Sequence, residues 1–206
     1  MLAKGAATYL AVPLAAAIVI LAVVLLLPLP LSYLALPVII LLWTSFTFYF
    51  FRDPERGVSR GIVSPADGRV LDVKDDGEKV TIAIFMGLGD VHVNRAPLDC
   101  RVKRVERVDG AHRPAYDPAS RGNEAVLWVL ETQCGEVALW QITGIFARRI
   151  VPFVKVGDTL RKGERIGMIC FGSRVDLELP RASVEPKVSV GDVVRAASST
   201  IAEVRG

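Results

Sequence analysis

The first 51 residues constrain this chain more than any other feature, because they hold no Asp, Glu or Arg and a single basic residue, Lys4. Two apolar runs fill them, YLAVPLAAAIVILAVVLLLP (9–28) and LSYLALPVIILLWTSFTFYFF (31–51), separated only by Leu29-Pro30. Each is close to the roughly 20 residues that a helix needs to cross the hydrocarbon core of a bilayer. A secretory signal has one shorter apolar core followed by a small-residue cleavage site, which this pattern lacks. A buried core hairpin is the alternative, but so long a stretch without charge is foreign to a soluble core. The runs therefore predict an N-terminal helical membrane hairpin, spanning or re-entrant, with both ends on one side. Arg52, Arg56 and Arg60 follow at once, and the positive-inside rule assigns them and the domain behind them to the cytoplasmic face of the cell membrane.

Residues 52–206 carry all 22 acidic residues and 24 of the 25 basic ones, so the second domain is charge-rich and nearly balanced. Cys100, Cys134 and Cys170 are odd in number and show no CxxC or His-Cys spacing, which argues against both a disulfide framework and a zinc site. No GxGxxG or GxxxxGK[ST] is present, so no nucleotide-phosphate loop is expected. The basic residues Arg101, Lys103, Arg104, Arg107 and Arg113 suit either anionic headgroups or a solvated strand face. Without interleaved aromatics or a reading helix, they give no case for nucleic acid.

Short β-branched segments (GRVLDVK, KVTIAIFM, DVHVNRA, CRVKRVERV, EAVLWVLET, EVALWQITG) are separated by Asp-Gly, Asp-Asp-Gly and Cys-Gly turns. With turns between strands and no sustained helical period, the expectation is mainly β: an antiparallel sandwich or open barrel. VKVGDTLRKGERIG (154–167) and VSVGDVVRAASSTI (188–201) repeat one another, each placing Val-x-Val-Gly-Asp before a short strand. With SPADGRV, they resemble the hammerhead hairpins of biotinyl and lipoyl carrier domains. A tethered carrier or adaptor without chemistry is thus a rival reading, although no modifiable Lys stands at a tip of the carrier type.

ICFGSRVDLELP (169–180) reads as one strand, with apolar residues two apart, interrupted by Gly172-Ser173. Glycine inside a strand marks a bulge or a close approach of backbone. Histidine is scarce: His92 stands between Val91 and Val93, so alternation turns it away from a core that takes the valines, and His112 lies in GAHRPAYD. Taken singly, His92 is a strand histidine, Asp67 a turn residue and Ser173 filler.

Read together and in order, FFRDPER (50–56), VSPADG (63–68), DVHVNRAP (90–97), Asn123-Glu124, GDTLRKGERIGMI (157–169) and FGSRVDLELP (171–180) resemble the phosphatidylserine decarboxylase proenzymes in their short membrane-tethered form, archaetidylserine decarboxylases included. The likeness covers nearly the whole chain. It implies an anchor at 1–51 and a decarboxylase domain at 52–206, self-cleaved between Gly172 and Ser173 into a β chain of residues 1–172 and an α chain of residues 173–206 that remain together as a heterodimer. Homo-oligomerisation is left open.

The resemblance further implies that Ser173 attacks the Gly172 carbonyl and ends as a covalent pyruvoyl group, the only cofactor, with no metal. His92 and Asp67 fall on the family positions of a Ser-His-Asp arrangement. Phosphatidylserine would then be converted to phosphatidylethanolamine and CO2 through a Schiff base with the pyruvoyl group. Arg174, beside the cleavage site, suits a substrate carboxylate or phosphate or a solvated strand charge. Asn123 and Glu124 match the family motif and are carried as substrate-binding residues. Some relatives have a second histidine in the His92 segment; here Val93-Asn94-Arg95 follows instead.

Overall fold

The computed structural model describes residues 1–4, 6–27, 30–145, 149–170 and 173–205. The chain forms two compact units, Met1–Pro54 and Glu55–Gly206. In the first, helices α1 (Ala7–Leu26) and α2 (Ala35–Phe50) pack together. Their outer ends are tied: the Asp53 amide donates to the Met1 carbonyl at 2.8 Å, and Tyr9 stacks on Phe51 with ring centroids 5.1 Å apart. Ile18, Leu25, Ile39 and Leu42 stand exposed. Helices apolar on every side belong in a membrane or a large core, and both segments, Tyr9–Leu26 and Ser32–Phe50, are long and apolar enough to cross a bilayer.

The second unit is β throughout, as its alternating segments predict. It comprises β1 (Ile62–Val63), β2 (Gly68–Asp75), β3 (Lys79–Met86), β4 (Val93–Arg95), β5 (Cys100–Val108), β6 (Ala125–Thr132) and β7 (Gly135–Thr143). There follow β8 (Ile150–Pro152), β9 (Thr159–Leu160), β10 (Arg165–Ile169), β11 (Ser173–Pro180), β12 (Val184–Pro186), β13 (Val193–Val194) and β14 (Thr200–Val204). All ladders are antiparallel. An eight-stranded sheet runs β13-β2-β3-β11-β7-β6-β5-β9, and two three-stranded sheets run β1-β14-β12 and β4-β10-β8. Among the described residues the sheets form no closed barrel, and their apolar faces share one core that includes Ile62, Ile82, Leu139, Leu177 and Ile201.

The strand orders reveal an internal duplication: β1, β2, β3 and β11–β14 build one half, β4–β10 the other. Pro65-Ala66-Asp67-Gly68-Arg69-Val70 corresponds to Pro97-Leu98-Asp99-Cys100-Arg101-Val102. Arg69 pairs with Val193 and Arg101 with Thr159, and the register of the β2–β3 and β5–β6 pairs shifts at the same point, after Val70 and after Val102. The Val-Gly-Asp repeats are the edge hairpins of the two halves. Gly157 and Gly191 take φ of 93° and 96°, a region open to glycine, and Asp158 and Asp192 accept from the amides of Lys155 and Ser189 at 3.0 and 2.8 Å.

One expectation is corrected. Residues 169–180 do not form a single strand: β10 ends at Ile169 in a three-stranded sheet and β11 starts at Ser173 in the eight-stranded one. The chain thus belongs to one sheet up to Ile169 and to another from Ser173 on, and the expectation for Gly172 lies outside the described residues, which leave out Phe171 and Gly172. In the other half, the position of Ser173 is taken by Gly135, the first residue of β7, directly after the hairpin turn from β6.

Candidate active site

Antiparallel order brings the start of β2, the end of β3, the start of β11, the end of β7 and the start of β6 to one end of the large sheet. Asp67, Ser173, Arg174, Asn123 and Glu124 are thereby gathered at that end. The His92 segment joins them through β10: the Ile169 amide donates to the His92 carbonyl at 3.2 Å, four residues before Ser173.

Ser173 is fully buried, and its hydroxyl donates to the Met86 sulfur at 3.4 Å. His92 is also buried, as are Val91 and Val93. It does not face solvent while the valines face the core, because this segment is covered on both faces. Its Nδ1 lies 3.0 Å from the Asp90 carbonyl oxygen. A carbonyl can only accept, so in the neutral ring Nδ1 carries the proton and Nε2 keeps its lone pair, the tautomer a general base requires.

Asp67 is held by groups the sequence motif did not suggest. Its Oδ2 accepts from Arg56 at 2.6 Å and its Oδ1 from the Ala196 amide at 2.8 Å. The Ala196 contact belongs to the fold, since Asp99 accepts the equivalent Lys162 amide at 2.7 Å in the other half. Arg56 has no part in that duplicated clasp, and it singles out Asp67.

Arg174 is not a solvated strand charge, although it borders a small pocket with Tyr116 and Arg121. It is buried and grips Asp176 through Nε and Nη2 at 2.6 and 3.0 Å, a bidentate pair. Asn123 uses its whole amide to fasten backbone: Nδ2 donates to the carbonyls of Arg113 and Thr143 at 2.8 and 2.7 Å, and Oδ1 accepts from the Arg113 amide at 2.9 Å. The Glu124 carbonyl accepts the amide and hydroxyl of Thr143 at 3.0 and 2.9 Å. This pair thus ties the loop before β6 to the end of β7.

An apolar cavity of about 170 Å³ is lined by Met86, the residue Ser173 contacts, with Leu88, Pro114, Ala115, Tyr116 and Ile145. Leu88, Tyr116 and Ile145 are exposed at its rim. Near the same junction, burial pushes the Cys170 thiol up to about 11, against the lowering influence of Arg149. Among the described residues, no group of three His, Cys, Asp or Glu is placed to hold a metal ion.

The site also contains residues the sequence reading left without a role: Arg56, Met86, Asn94 and Gln141. Gln141 had a visible signal, because alternation along EVALWQITG gives it the inward phase of Val137 and Leu139.

With this geometry in hand, comparison with known proteins is decisive. A profile of the phosphatidylserine decarboxylase family matches residues 43–202. The chain belongs to that family. The phosphatidylserine decarboxylase proenzyme of Streptomyces coelicolor is 50% identical over 146 residues, 69% of this chain and 66% of the relative. That of Thermobifida fusca is 46% identical over 171 residues, 82% of this chain and 77% of the relative. An Archaeoglobus fulgidus protein provisionally named archaetidylserine decarboxylase proenzyme is 44% identical over 173 residues, 79% of this chain and 85% of the relative. The chain spans about two thirds of the length of the Streptomyces coelicolor relative. Membership makes this chain an enzyme of a carboxy-lyase family, and it removes the carrier as the leading reading of the hammerhead hairpins.

Proposed function

We propose that the chain is a self-processing, pyruvoyl-dependent decarboxylase that converts phosphatidylserine to phosphatidylethanolamine and CO2 at the cytoplasmic face of the cell membrane, held there by its N-terminal hairpin. One observation carries the reading: a buried serine begins a strand at the point where the chain changes sheets, tied through β10 to a histidine in the tautomer of a base.

In maturation, His92 Nε2 takes the Ser173 proton as Oγ attacks the Gly172 carbonyl, and the amide becomes an ester with a free amine at residue 173. Loss of the α-proton expels the Gly172 carboxylate and leaves a dehydro residue, which water converts to a pyruvoyl group with release of ammonia. Asp67 supplies negative charge that favours protonated His92, and Arg56 tempers it. The products are chains 1–172 and 173–206, which the β3–β11 and β7–β11 ladders hold together.

The residues present fit the resulting cofactor: position 173 is a serine, and its burial keeps bulk water from a reactive carbonyl. That group supplies an electron sink for the electrons left behind by CO2. The surrounding residues do the rest. His92 returns a proton to the α-carbon, and the apolar cavity at Met86, Leu88, Tyr116 and Ile145 receives the glycerol end of the lipid. Arg174 acts through its Asp176 pair to hold the first residues of β11 in place, while Asn123 and Glu124 fix the loop that walls the cavity.

Release of CO2 from vesicles of phosphatidylserine and of its archaeal diether analogue tests the reading. The purified protein should turn over the diacyl lipid, and Ser173→Ala none. A diether preference would move the substrate to the archaeal class, and no release from either lipid would remove the decarboxylase reading.

A further inference from the structure

A line of buried polar side chains leads from Trp128 on β6 to Ser173 at the start of β11. Trp128 Nε1 donates to Gln141 Oε1 at 2.7 Å, Gln141 Nε2 donates to Asn94 Oδ1 at 2.7 Å, and Asn94 Nδ2 reaches the Met86 sulfur at 3.5 Å. The same sulfur takes the Ser173 hydroxyl at 3.4 Å. All five residues are inaccessible to solvent. The polarity of the line is fixed by chemistry. An indole only donates, so Gln141 must present its oxygen to Trp128 and its NH2 to Asn94, which leaves the Asn94 NH2 pointing at Met86.

The internal duplication shows that the fold does not need this line. In the other half, strand registers place Ile82 at the position of Trp128 and Leu179 at that of Gln141. Ile62 stands for Asn94, since Ile62 pairs with Ala202 as Asn94 pairs with Gly167, and Ala202 and Gly167 face Pro186 and Pro152 in turn. Ile62, Ile82 and Leu179 are plain core residues. Gly167 is crowded by both strand and side chain: a Cβ there would come within 3.0 Å of the Val151 carbonyl oxygen and within 3.1 and 3.2 Å of the Gln141 amide. Three apolar residues serve one half where three hydrogen-bonded ones serve the half that reaches Ser173. Buried amides are costly unless every group is paired, so their presence in one half alone points to a task at the end of the line.

We propose that Asn94 is a positioning residue for self-cleavage: oriented by Gln141 and Trp128, it fixes the Met86 thioether, and the thioether fixes the Ser173 hydroxyl for reaction with the preceding carbonyl. Sulfur is a weak acceptor on a flexible chain, and without a second donor it would not hold a hydroxyl to one rotamer. The inference rests on the proposed self-cleavage at Ser173.

The other half supplies the test. In the full chain, Asn94→Ile, Gln141→Leu and Trp128→Phe together remove both ends of the Trp128–Gln141 and Gln141–Asn94 bonds, a change that buried pairs tolerate better than the loss of one partner, and take from the Met86 sulfur its Asn94 donor. Intact mass followed over time should show self-cleavage slowed roughly ten- to a hundredfold. The melting temperature, read in the uncut Ser173→Ala background, should be unchanged or higher, which a merely structural role does not predict. Met86→Leu, a volume-conserving swap, should slow cleavage alone and add nothing to the triple variant. Cleavage of the folded triple variant at the parental rate overturns the inference, as does a Met86→Leu effect that multiplies with it. If the triple variant does not fold, Met86→Leu alone decides: parental rate against the inference, slow cleavage for it. If Ser173→Ala is itself cut, the self-cleavage reading has failed, not only the role of Asn94.

Discussion

Asp67 and Asp99 occupy the same position in the two halves of the β unit, each taking the amide of an edge hairpin on Oδ1, at 2.8 Å from Ala196 and 2.7 Å from Lys162. Only Asp67 also holds an arginine, Arg56, on Oδ2. One carboxylate oxygen thus serves the fold and the other the site. Asp67→Asn keeps an oxygen for Ala196 and loses the charge. It should leave a folded proenzyme whose processing is slower by roughly ten- to a hundredfold, the loss expected when a charge that favours the imidazolium is removed while the Asp90 carbonyl still fixes the tautomer. Asp99→Asn should process normally. Equal processing by both variants, followed by gel and mass, would separate Asp67 from the chemistry.

His92 and His112 are the only histidines in the chain. His92 is buried with Nδ1 on the Asp90 carbonyl, while His112 is exposed. His92→Ala should accumulate uncut chain, and His112→Ala should be indistinguishable from the parent in cleavage and CO2 release. Normal cutting by His92→Ala would require another base.

Much of this was legible in the sequence, for identifiable reasons. The pair of apolar helices follows from composition, the strands from alternation and the edge hairpins from repeated Val-Gly-Asp. Less legible was anything that depends on which strands become neighbours. The break at Gly172-Ser173 looked like a flaw inside one strand because Ile169, Val175, Leu177 and Leu179 keep one alternation across two different sheets. His92 looked solvent-facing because alternation assigns one face to the core, and this segment has a core on both. The Arg56–Asp67 pair and the Gln141–Asn94 bond join residues 11 and 47 positions apart, and no local pattern announces them.

Burial raises the Cys170 thiol from its ordinary 9.0 to about 11. The thiolate is the reactive form, so alkylation by iodoacetamide at neutral pH should be far slower than for an open thiol and should climb about tenfold per pH unit toward that value. Because the folded state holds this proton more tightly than the unfolded one, its stabilising contribution is complete below 9.0 and is lost as pH rises toward about 11. Rapid labelling of the folded protein at neutral pH would contradict the burial that raises it.

The proposed topology puts the β unit on the inner side of the membrane. Protease added to intact cells should leave the chain whole, and protease added to inverted vesicles should reduce it to a fragment near residues 1–51. Digestion from outside would reverse the assignment.

Most direct is the intact mass of the purified wild-type protein beside Ser173→Ala. Self-processing predicts two wild-type chains, one ending at Gly172 and one of residues 173–206, the second lighter than its sequence by the conversion of serine to pyruvoyl and blocked to Edman degradation. Ser173→Ala should give one chain of full length. A single uncut wild-type chain that decarboxylates phosphatidylserine at full rate would contradict the mechanism at its first step.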